Sequence, residues 1–210
     1  MTINSSNRIG ILGGTFNPVH LGHLALANSA IEAFNLSKVL FIPCSKPPHK
    51  TSKVLASARH RLAMLKLAIK GDPRFEISDV EIKRGGPSYT IDTITQLKRT
   101  SSDGVEYYFI IGADSLLELH TWKKVHKLLK LCKFVTFGRP GVNTHKLKRK
   151  DLKLDPPWPE KLLRHVDTGR LLNISSSDIR HRVAEGLSIR YLTPNAVAVY
   201  IADHNLYAKQ

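Results

Sequence analysis

The stretch Gly13-Gly14-Thr15-Phe16-Asn17-Pro18-Val19-His20-Leu21-Gly22-His23 constrains this chain most. It follows a short apolar run, Ile9-Gly10-Ile11-Leu12, and opens an apolar-periodic segment, Leu21 to Phe34. The order reads as strand, glycine turn, helix. Backbone N–H groups at such a helix start point outward and carry the positive end of the helix dipole. His20 and His23 stand three residues apart and share one helical face beside that anion site. A neutral imidazole donates one N–H to a phosphate oxygen, and a protonated one donates with charge. Gly22 leaves room for a phosphate chain or a base to approach the backbone. A phosphate-rich ligand is the natural occupant. The common nucleotide fingerprints are absent: there is no G-x-G-x-x-G, no G-x-x-x-x-G-K-[ST] and no H-E-x-x-H. A metal-binding pair at His20 and His23 would have no carboxylate near it in sequence.

Apolar runs alternate with helical patterns along the rest of the chain. The pattern predicts strands at Arg8–Leu12, Val39–Pro43, Phe75–Ile77, Tyr107–Gly112, Phe134–Gly138 and Leu171–Ile174. It predicts helices at Leu21–Phe34, Ala58–Ile69, Thr90–Lys98, Trp122–Leu131, Ser176–Glu185 and Pro194–His204. Leu62, Leu65 and Ile69 fall on one face of the second helix. Thr193 and Pro194 read as N-cap and first helical residue, and Gly186 as a C-terminal cap. This alternation predicts a single α/β domain over residues 1–210: a Rossmann-like, doubly wound, mostly parallel sheet with helices on both faces and a small C-terminal helical portion. Residues 141–165 show no clear period and read as a loop-rich insertion. Sheets of this kind bind ligands at the carboxyl ends of their strands.

Lys and Arg number 32 against 17 Asp and Glu, for a formal charge of +15. Such an excess suits a nucleic-acid or membrane surface, or a solvated basic face on an enzyme for anionic small molecules. Much of it is local, in Lys146-Leu147-Lys148-Arg149-Lys150, which reads as an exposed basic loop. No helix-turn-helix, zinc-finger or RNP-type signature supports nucleic-acid binding. No apolar run approaches the roughly 18–20 residues of a membrane span, and Met1–Arg8 lacks a signal-peptide core. Cys44 and Cys132 stand in no metal or redox spacing, which fits a reduced, cytoplasmic setting. No feature selects an oligomeric state.

A second constellation lies downstream: Asn173-Ile174-Ser175-Ser176-Ser177-Asp178-Ile179-Arg180. Ser175 or Ser176 caps the following helix, whose free N–H groups and hydroxyls suit an oxyanion. Arg180 is one turn beyond Ser176, within reach of the same phosphate. With the first motif, this element resembles the nucleotidyltransferase superfamily bearing H-x-G-H and I-S-S-x-x-x-R signatures. Within it the chain resembles the bacterial nicotinate mononucleotide adenylyltransferase family. Supporting segments are Pro47-Pro48-His49-Lys50, Gly86-Pro87-Ser88-Tyr89-Thr90-Ile91-Asp92-Thr93, Ile110-Ile111-Gly112-Ala113-Asp114-Ser115-Leu116 with Trp122, and Ser188-Ile189-Arg190-Tyr191-Leu192-Thr193-Pro194. The resemblance runs in order from Ile9 to Tyr207 and is thin only across 141–165.

The resemblance implies transfer of AMP from ATP to nicotinate mononucleotide, giving deamido-NAD and pyrophosphate. It implies that Gly13, Gly14, Thr15 and Phe16 line the phosphate site, with Thr15 and Phe16 also near the acceptor. His20 and His23 would bind the ATP phosphates; Ser175, Ser176 and Arg180 would hold the β- and γ-phosphates; Gly112 and Asp114 would meet the adenosine. His20, His23 and Arg180 are the expected catalytic residues. A Mg²⁺ would be carried largely by phosphate oxygens and water rather than by protein ligands. On the acceptor side, Trp122 offers a face for a pyridinium ring. Ser88, Tyr89, Thr90 and Lys123 would surround its carboxylate, and His49 and Lys50 would reach the acceptor phosphate. Asn17 stands where the family often has Asp, and Cys44 and Ser45 where it often has Asn, so contacts there differ. Nicotinamide mononucleotide and phosphopantetheine are the alternative acceptors; Trp122 and Ser88-Tyr89-Thr90 argue against the latter. A non-enzymatic basic nucleic-acid binder is the alternative from another class.

Overall fold

The computed structural model describes residues 7–46, 55–138, 144–167 and 172–209. His49 and Lys50 lie outside the described residues. Six strands form one sheet: β1 (Arg8–Gly14), β2 (Lys38–Pro43), β3 (Phe75–Ile77), β4 (Glu106–Gly112), β5 (Lys133–Phe137) and β6 (Val166–Asp167). Their order is β3-β2-β1-β4-β5-β6. Parallel register pairs Ile11 with Phe109, Ile110 with Val135 and Thr136 with Val166. The strand order reverses between β1 and β4, the switch point at which doubly wound sheets bind ligands. The carboxyl ends of those two strands carry Gly13–Gly14 and Gly112.

Helices surround the sheet: α1 (Leu21–Phe34), α2 (Ala58–Ile69), α3 (Val80–Arg84), α4 (Thr90–Thr100), α5 (Ala113–Leu117), α6 (Val125–Leu131), α7 (Trp158–Leu163), α8 (Ser176–Ala184) and α9 (Asn195–Asp203). The chain condenses into two compact units. The first holds residues 1–12, 26–40 and 89–171, and the second holds 13–25, 41–88 and 172–210. In the first, β4 reads Glu-Tyr-Tyr-Phe-Ile-Ile-Gly and is buried from Tyr107 to Ile111. A near-continuous apolar run is what a strand covered on both faces requires. Phe109 and Phe134 pack at a centroid distance of 5.5 Å, and Leu116, Leu119 and Leu128 are fully buried in the same unit. In the second, Phe16 meets Phe41 at a tilt at 5.9 Å, and Phe41 meets Phe75 edge-on at 5.3 Å.

Several boundaries depart from the sequence pattern for local reasons. The expected strand at Leu171–Ile174 is absent from its described part; residues 172–175 are irregular, and the sixth strand is Val166–Asp167. The helix expected from Trp122 begins at Val125. A 3-10 turn, Leu119–Thr121, ends at Trp122 in extended backbone, and Lys124 takes a left-handed φ of 53° before α6 starts. The buried stripe of α2 is Arg61, Met64 and Leu65, not Leu62, Leu65 and Ile69. Pro194, in extended backbone, is the N-cap of α9, and the Thr193 hydroxyl is committed elsewhere. Gly186 behaves as expected: at φ +66° it donates to Val183 O while Leu187 donates to Arg182 O, the paired bonds of a Schellman cap. Residues 144–165 hold two 3-10 turns, Thr144–Lys146 and Arg149–Leu152, and then α7, with Leu152 and Leu162 buried. Among the described residues no helix is long and apolar enough to cross a membrane.

Candidate active site

The second unit gathers both halves of the predicted phosphate site. β1 ends at Gly14, whose carbonyl accepts the Cys44 N–H at 2.9 Å. Phe16 then adopts a left-handed φ of 49°, which turns the chain sharply and drops its ring into the core against Phe41. The Phe16 side chain is therefore part of the core, and its ring meets His23 edge-on at 5.0 Å.

His20 and His23 stack with centroids 3.7 Å apart and planes 30° from parallel. His23 Nδ1 accepts the His20 backbone N–H at 3.2 Å. A nitrogen that accepts carries no proton, so the neutral His23 ring bears its proton on Nε2 and presents a donor there. His20 is only 7% exposed, more enclosed than a pair of histidines on a solvent-open helix face would be. Gly22 has a different neighbour from the one its sequence position suggests. A Cβ there would lie 3.0 Å from His20 Nδ1, 3.1 Å from its Cε1 and 3.4 Å from Leu172 O. The histidine's own ring, not a ligand, uses the missing side chain. Two amides of the helix start are likewise already engaged: Leu21 N–H donates to Leu192 O at 3.0 Å and His23 N–H to His20 O at 2.9 Å.

The downstream motif closes on the loop before His20. Ser175 is the N-cap of α8 and its Oγ accepts the Asp178 N–H at 3.1 Å, which leaves its own hydroxyl proton to donate. Ser176 Oγ donates to Pro18 O at 2.8 Å. Arg180 Nη1 donates to Asn17 O at 2.7 Å and its Nη2 to Ser177 Oγ at 3.2 Å. Thr193 Oγ1 donates to Val19 O at 2.8 Å. Three consecutive carbonyls, 17 to 19, thus each receive a side chain from the last forty residues. Tyr207 completes the clamp by donating its hydroxyl to Asn17 Oδ1 at 2.7 Å, and Ala56 N–H donates to the same oxygen at 3.1 Å. Burial pushes the Tyr207 phenol well above its ordinary range, so it remains a neutral donor. Asn17 uses its side-chain oxygen as a structural acceptor, which an amide does without adding charge to a buried position.

Ser88 belongs to the same unit. Its Oγ accepts the Ser45 N–H at 3.0 Å, and its N–H donates to Lys46 O at 3.2 Å. Cys44 is buried, and burial pushes its thiol up against the opposing pull of Arg61, which argues for a small inert side chain rather than a reactive one.

The remaining predicted residues belong to the first unit. Gly112 caps α5, and Asp114 sits exposed in its first turn. Thr90 is the first residue of α4, where the sequence pattern begins that helix. Lys123 does not open a helix. Its Nζ lies 4.1 Å over the Tyr89 ring and 3.2 Å from Asp92 Oδ2. Trp122 is half-buried and meets Phe109 and Phe134 edge-on at 5.9 and 6.1 Å.

Arg61 and Tyr207 escape the sequence reading, and Asn17 and Thr193 enter it without the bonds they make. The one sequence signal for Arg61 is its place in the i, i+3, i+4 stripe with Met64 and Leu65, where a charged residue is out of character. Among the described residues no three His, Cys, Asp or Glu side chains gather as a metal-binding group.

Comparison with known proteins adds the rest. The Cytidylyltransferase-like family matches residues 11–182. A protein of Thermoanaerobacter sp. (strain X514), named "Probable nicotinate-nucleotide adenylyltransferase", is 43% identical, covering 96% of this chain and 95% of the relative. One of the same name from Desulfitobacterium hafniense (strain DSM 10664 / DCB-2) is 44% identical over 99% of both chains. The solved structure of Plasmodium falciparum nicotinic acid mononucleotide adenylyltransferase complexed with NaAD superposes with a TM-score of 0.75 at 21% identity, covering 96% of this chain and 97% of that one, and supports the fold.

Proposed function

The chain belongs to the Cytidylyltransferase-like family and, within it, to the nicotinate-nucleotide adenylyltransferases, and on that footing we propose that it transfers AMP from ATP to nicotinate mononucleotide, yielding deamido-NAD and pyrophosphate in NAD biosynthesis. The single observation that carries the reading is the closure of the I-S-S-S-D-I-R element on the H-x-G-H loop. Ser176 and Arg180 donate to the carbonyls of Pro18 and Asn17, which supports reading the two motifs, far apart in sequence, as parts of one phosphate site.

In the proposed reaction the acceptor's phosphate oxygen attacks the ATP α-phosphorus in line and the α–β bridging oxygen leaves with pyrophosphate. No protein nucleophile is needed, so the chain contributes position and charge stabilisation. His23 donates from Nε2 to the phosphate oxygen on which charge grows, its tautomer fixed by the bond at Nδ1. His20 stacks against it and holds it in place. Ser175 has a hydroxyl proton free for a β- or γ-oxygen. The Ser176 proton is engaged with Pro18, so Ser176 serves by its backbone amide and by bracing the loop. The Arg180 guanidinium has five N–H donors and commits two of them internally, leaving others for the terminal phosphates. Gly13, Gly14, Thr15 and Phe16 offer backbone amides. Gly112 and Asp114 would bind adenosine; Trp122, Thr90, Tyr89, Lys123 and Ser88 would bind the nicotinate moiety, and His49 and Lys50 the acceptor phosphate. A divalent cation, Mg²⁺, would arrive on the triphosphate and neutralise its charge, held mainly by phosphate oxygens and water. The proposed setting is the cytoplasm, where two buried free thiols persist reduced.

The test is pyrophosphate release from Mg·ATP with nicotinate mononucleotide, nicotinamide mononucleotide and phosphopantetheine offered separately, alongside a His23→Ala variant. Strong release with the nicotinate form, lost by about 10²-fold or more in His23→Ala, supports the reading. Silence with all three acceptors overturns it, and equal release with both pyridine nucleotides removes the selectivity.

A further inference from the structure

Arg61 is the largest buried side chain that the proposed chemistry leaves unused. It is 1% exposed and lies on the inner face of α2 beside Met64 and Leu65. Its Nε donates to Ala56 O at 3.0 Å, its Nη1 to Thr15 O at 2.9 Å and Cys44 O at 2.8 Å, and its Nη2 to Ser45 O at 3.2 Å. Four of its five N–H groups are thus accounted for by main-chain carbonyls. Those carbonyls come from three separate stretches: the turn after β1, the turn after β2, and the lead into α2.

Burying a guanidinium costs several kcal/mol even after relaxation, and an apolar side chain of similar volume fills space at no such cost. What the guanidinium adds is a planar fork that reaches several acceptors at once from one rigid centre. The acceptors are also telling. Thr15 belongs to the turn whose amides line the proposed phosphate site. Ser45 is tied through its own N–H to Ser88, a residue proposed for the acceptor. A continuous set of bonds therefore runs from Thr15 through Arg61 and Ser45 to Ser88, from the phosphate turn to the acceptor side. A second effect is electronic. Thr15 C=O and Phe16 N–H are the two ends of one peptide unit, and a charged donor on the oxygen polarises the N–H at the other end.

We propose that Arg61 is a positioning residue for adenylyl transfer: its buried guanidinium holds the Gly13–Phe16 turn and the Cys44–Ser45 turn at the separation that brings the acceptor phosphate onto the α-phosphorus. The proposal rests on the adenylyl-transfer reading above.

The experiment compares wild type, Arg61→Lys, which keeps the charge but not the fork, and Arg61→Ala, which leaves a guanidinium-sized cavity. Thermal midpoint, kcat, the KM of each substrate and the affinity for a non-reacting ATP analogue are measured for each, with and without millimolar guanidinium ion. Folded Arg61→Lys is expected to lose about tenfold or more in kcat with a raised acceptor KM, while ATP-analogue affinity changes by less than about threefold. Guanidinium is expected to restore turnover in Arg61→Ala and to do nothing for His23→Ala. A folded Arg61→Lys with wild-type kcat and KM overturns the proposal, as does a loss in Arg61→Ala that only tracks its folded fraction and ignores guanidinium. If Arg61→Ala does not fold, Arg61→Lys decides by its kinetics. Wild type that turns over no acceptor overturns the adenylyl-transfer reading and the positioning role with it; active wild type with unaltered variants overturns the role of Arg61 alone.

Discussion

Gly22→Ala separates the stability of this loop from its chemistry. In most helices the exchange is favourable, because glycine loses more backbone freedom than alanine on folding, by about 0.5–1 kcal/mol. Here the new Cβ would stand 3.0 Å from His20 Nδ1 and 3.1 Å from Cε1, tighter than ordinary contact, so the ring must give by a few tenths of an ångström. Leu172 O, at 3.4 Å, limits retreat on the other side. The imidazole cannot move without disturbing His23, on whose ring it stacks at 3.7 Å and whose Nδ1 accepts the His20 backbone N–H. The helix gain and the contact strain are of similar size and opposite sign. The thermal midpoint should therefore stay within about 4 °C of wild type, the shift that roughly 1 kcal/mol produces in a chain of this size. The chemistry has no such compensation: a misplacement of about 1 Å costs about 10²-fold, so a shift of a few tenths of an ångström passed through the stacked His20 ring to the His23 donor costs a fraction of that. We expect kcat for pyrophosphate release to fall by about 3- to 10-fold with the fold intact. A Gly22→Ala protein with wild-type kcat and KM would refute the claim that Gly22 exists to seat His20.

Other perturbations follow from the same geometry. Trp122→Ala removes two edge-on contacts with Phe109 and Phe134 as well as the proposed stacking face, so it should lower the thermal midpoint and raise acceptor KM. Trp122→Phe should largely keep the midpoint, yet still raise acceptor KM by up to about tenfold, the scale of a lost cation–π contact; an unchanged KM in both would remove the stacking role. Tyr207→Phe deletes the donor to Asn17 Oδ1 and should cost about 1 kcal/mol in urea unfolding, with a fall in kcat if the clamp matters to the site. The His165 imidazole is held below its ordinary 6.5, first by burial and then by Lys133 and Arg164. The folded chain therefore binds its proton less readily than the unfolded chain. The stability tied to the neutral ring is complete above pH 6.5 and is lost as pH falls from there toward the lowered native value. Thermal midpoints of His165→Gln should consequently decline less than wild type between neutral and mildly acid pH; an identical decline would exclude the contribution.

The sequence was most legible where structure repeats along the chain. α1 and α2 span the bounds predicted for them, though the buried face of α2 is not the one its apolar residues mark; β3 coincides with Phe75–Ile77, and the alternation of elements was enough for a doubly wound sheet. Legibility failed where an element is too short to show a period. A two-residue edge strand at Val166–Asp167 has no alternation to read, whereas Leu171–Ile174 looks like a strand. It failed differently at the site. H-x-G-H and I-S-S-S-D-I-R were visible because their chemistry sits in contiguous residues. The groups that hold them in place were not, because a side chain that bonds a distant carbonyl leaves no local trace.

That difference has a physical basis. The loop from Thr15 to Val19 is neither helix nor strand, so its carbonyls have no ladder to satisfy them, and each must find a donor or pay the cost of burial unpaired. Asn17, Pro18 and Val19 are served by Arg180, Ser176 and Thr193, and Thr15 by Arg61. Two of these donors belong to the motif proposed to face phosphate, and two do not. Arg180 and Ser176 therefore carry a double duty: the loop that presents His20 is braced by the same helix start that would receive the terminal phosphates. A triphosphate that drew Arg180 off the Asn17 carbonyl would loosen the loop just as it bound, were that loop braced by α8 alone. Thr193, Tyr207 and Arg61 grip it independently of α8, which would let Arg180 turn to the proposed phosphate while the histidines keep their register.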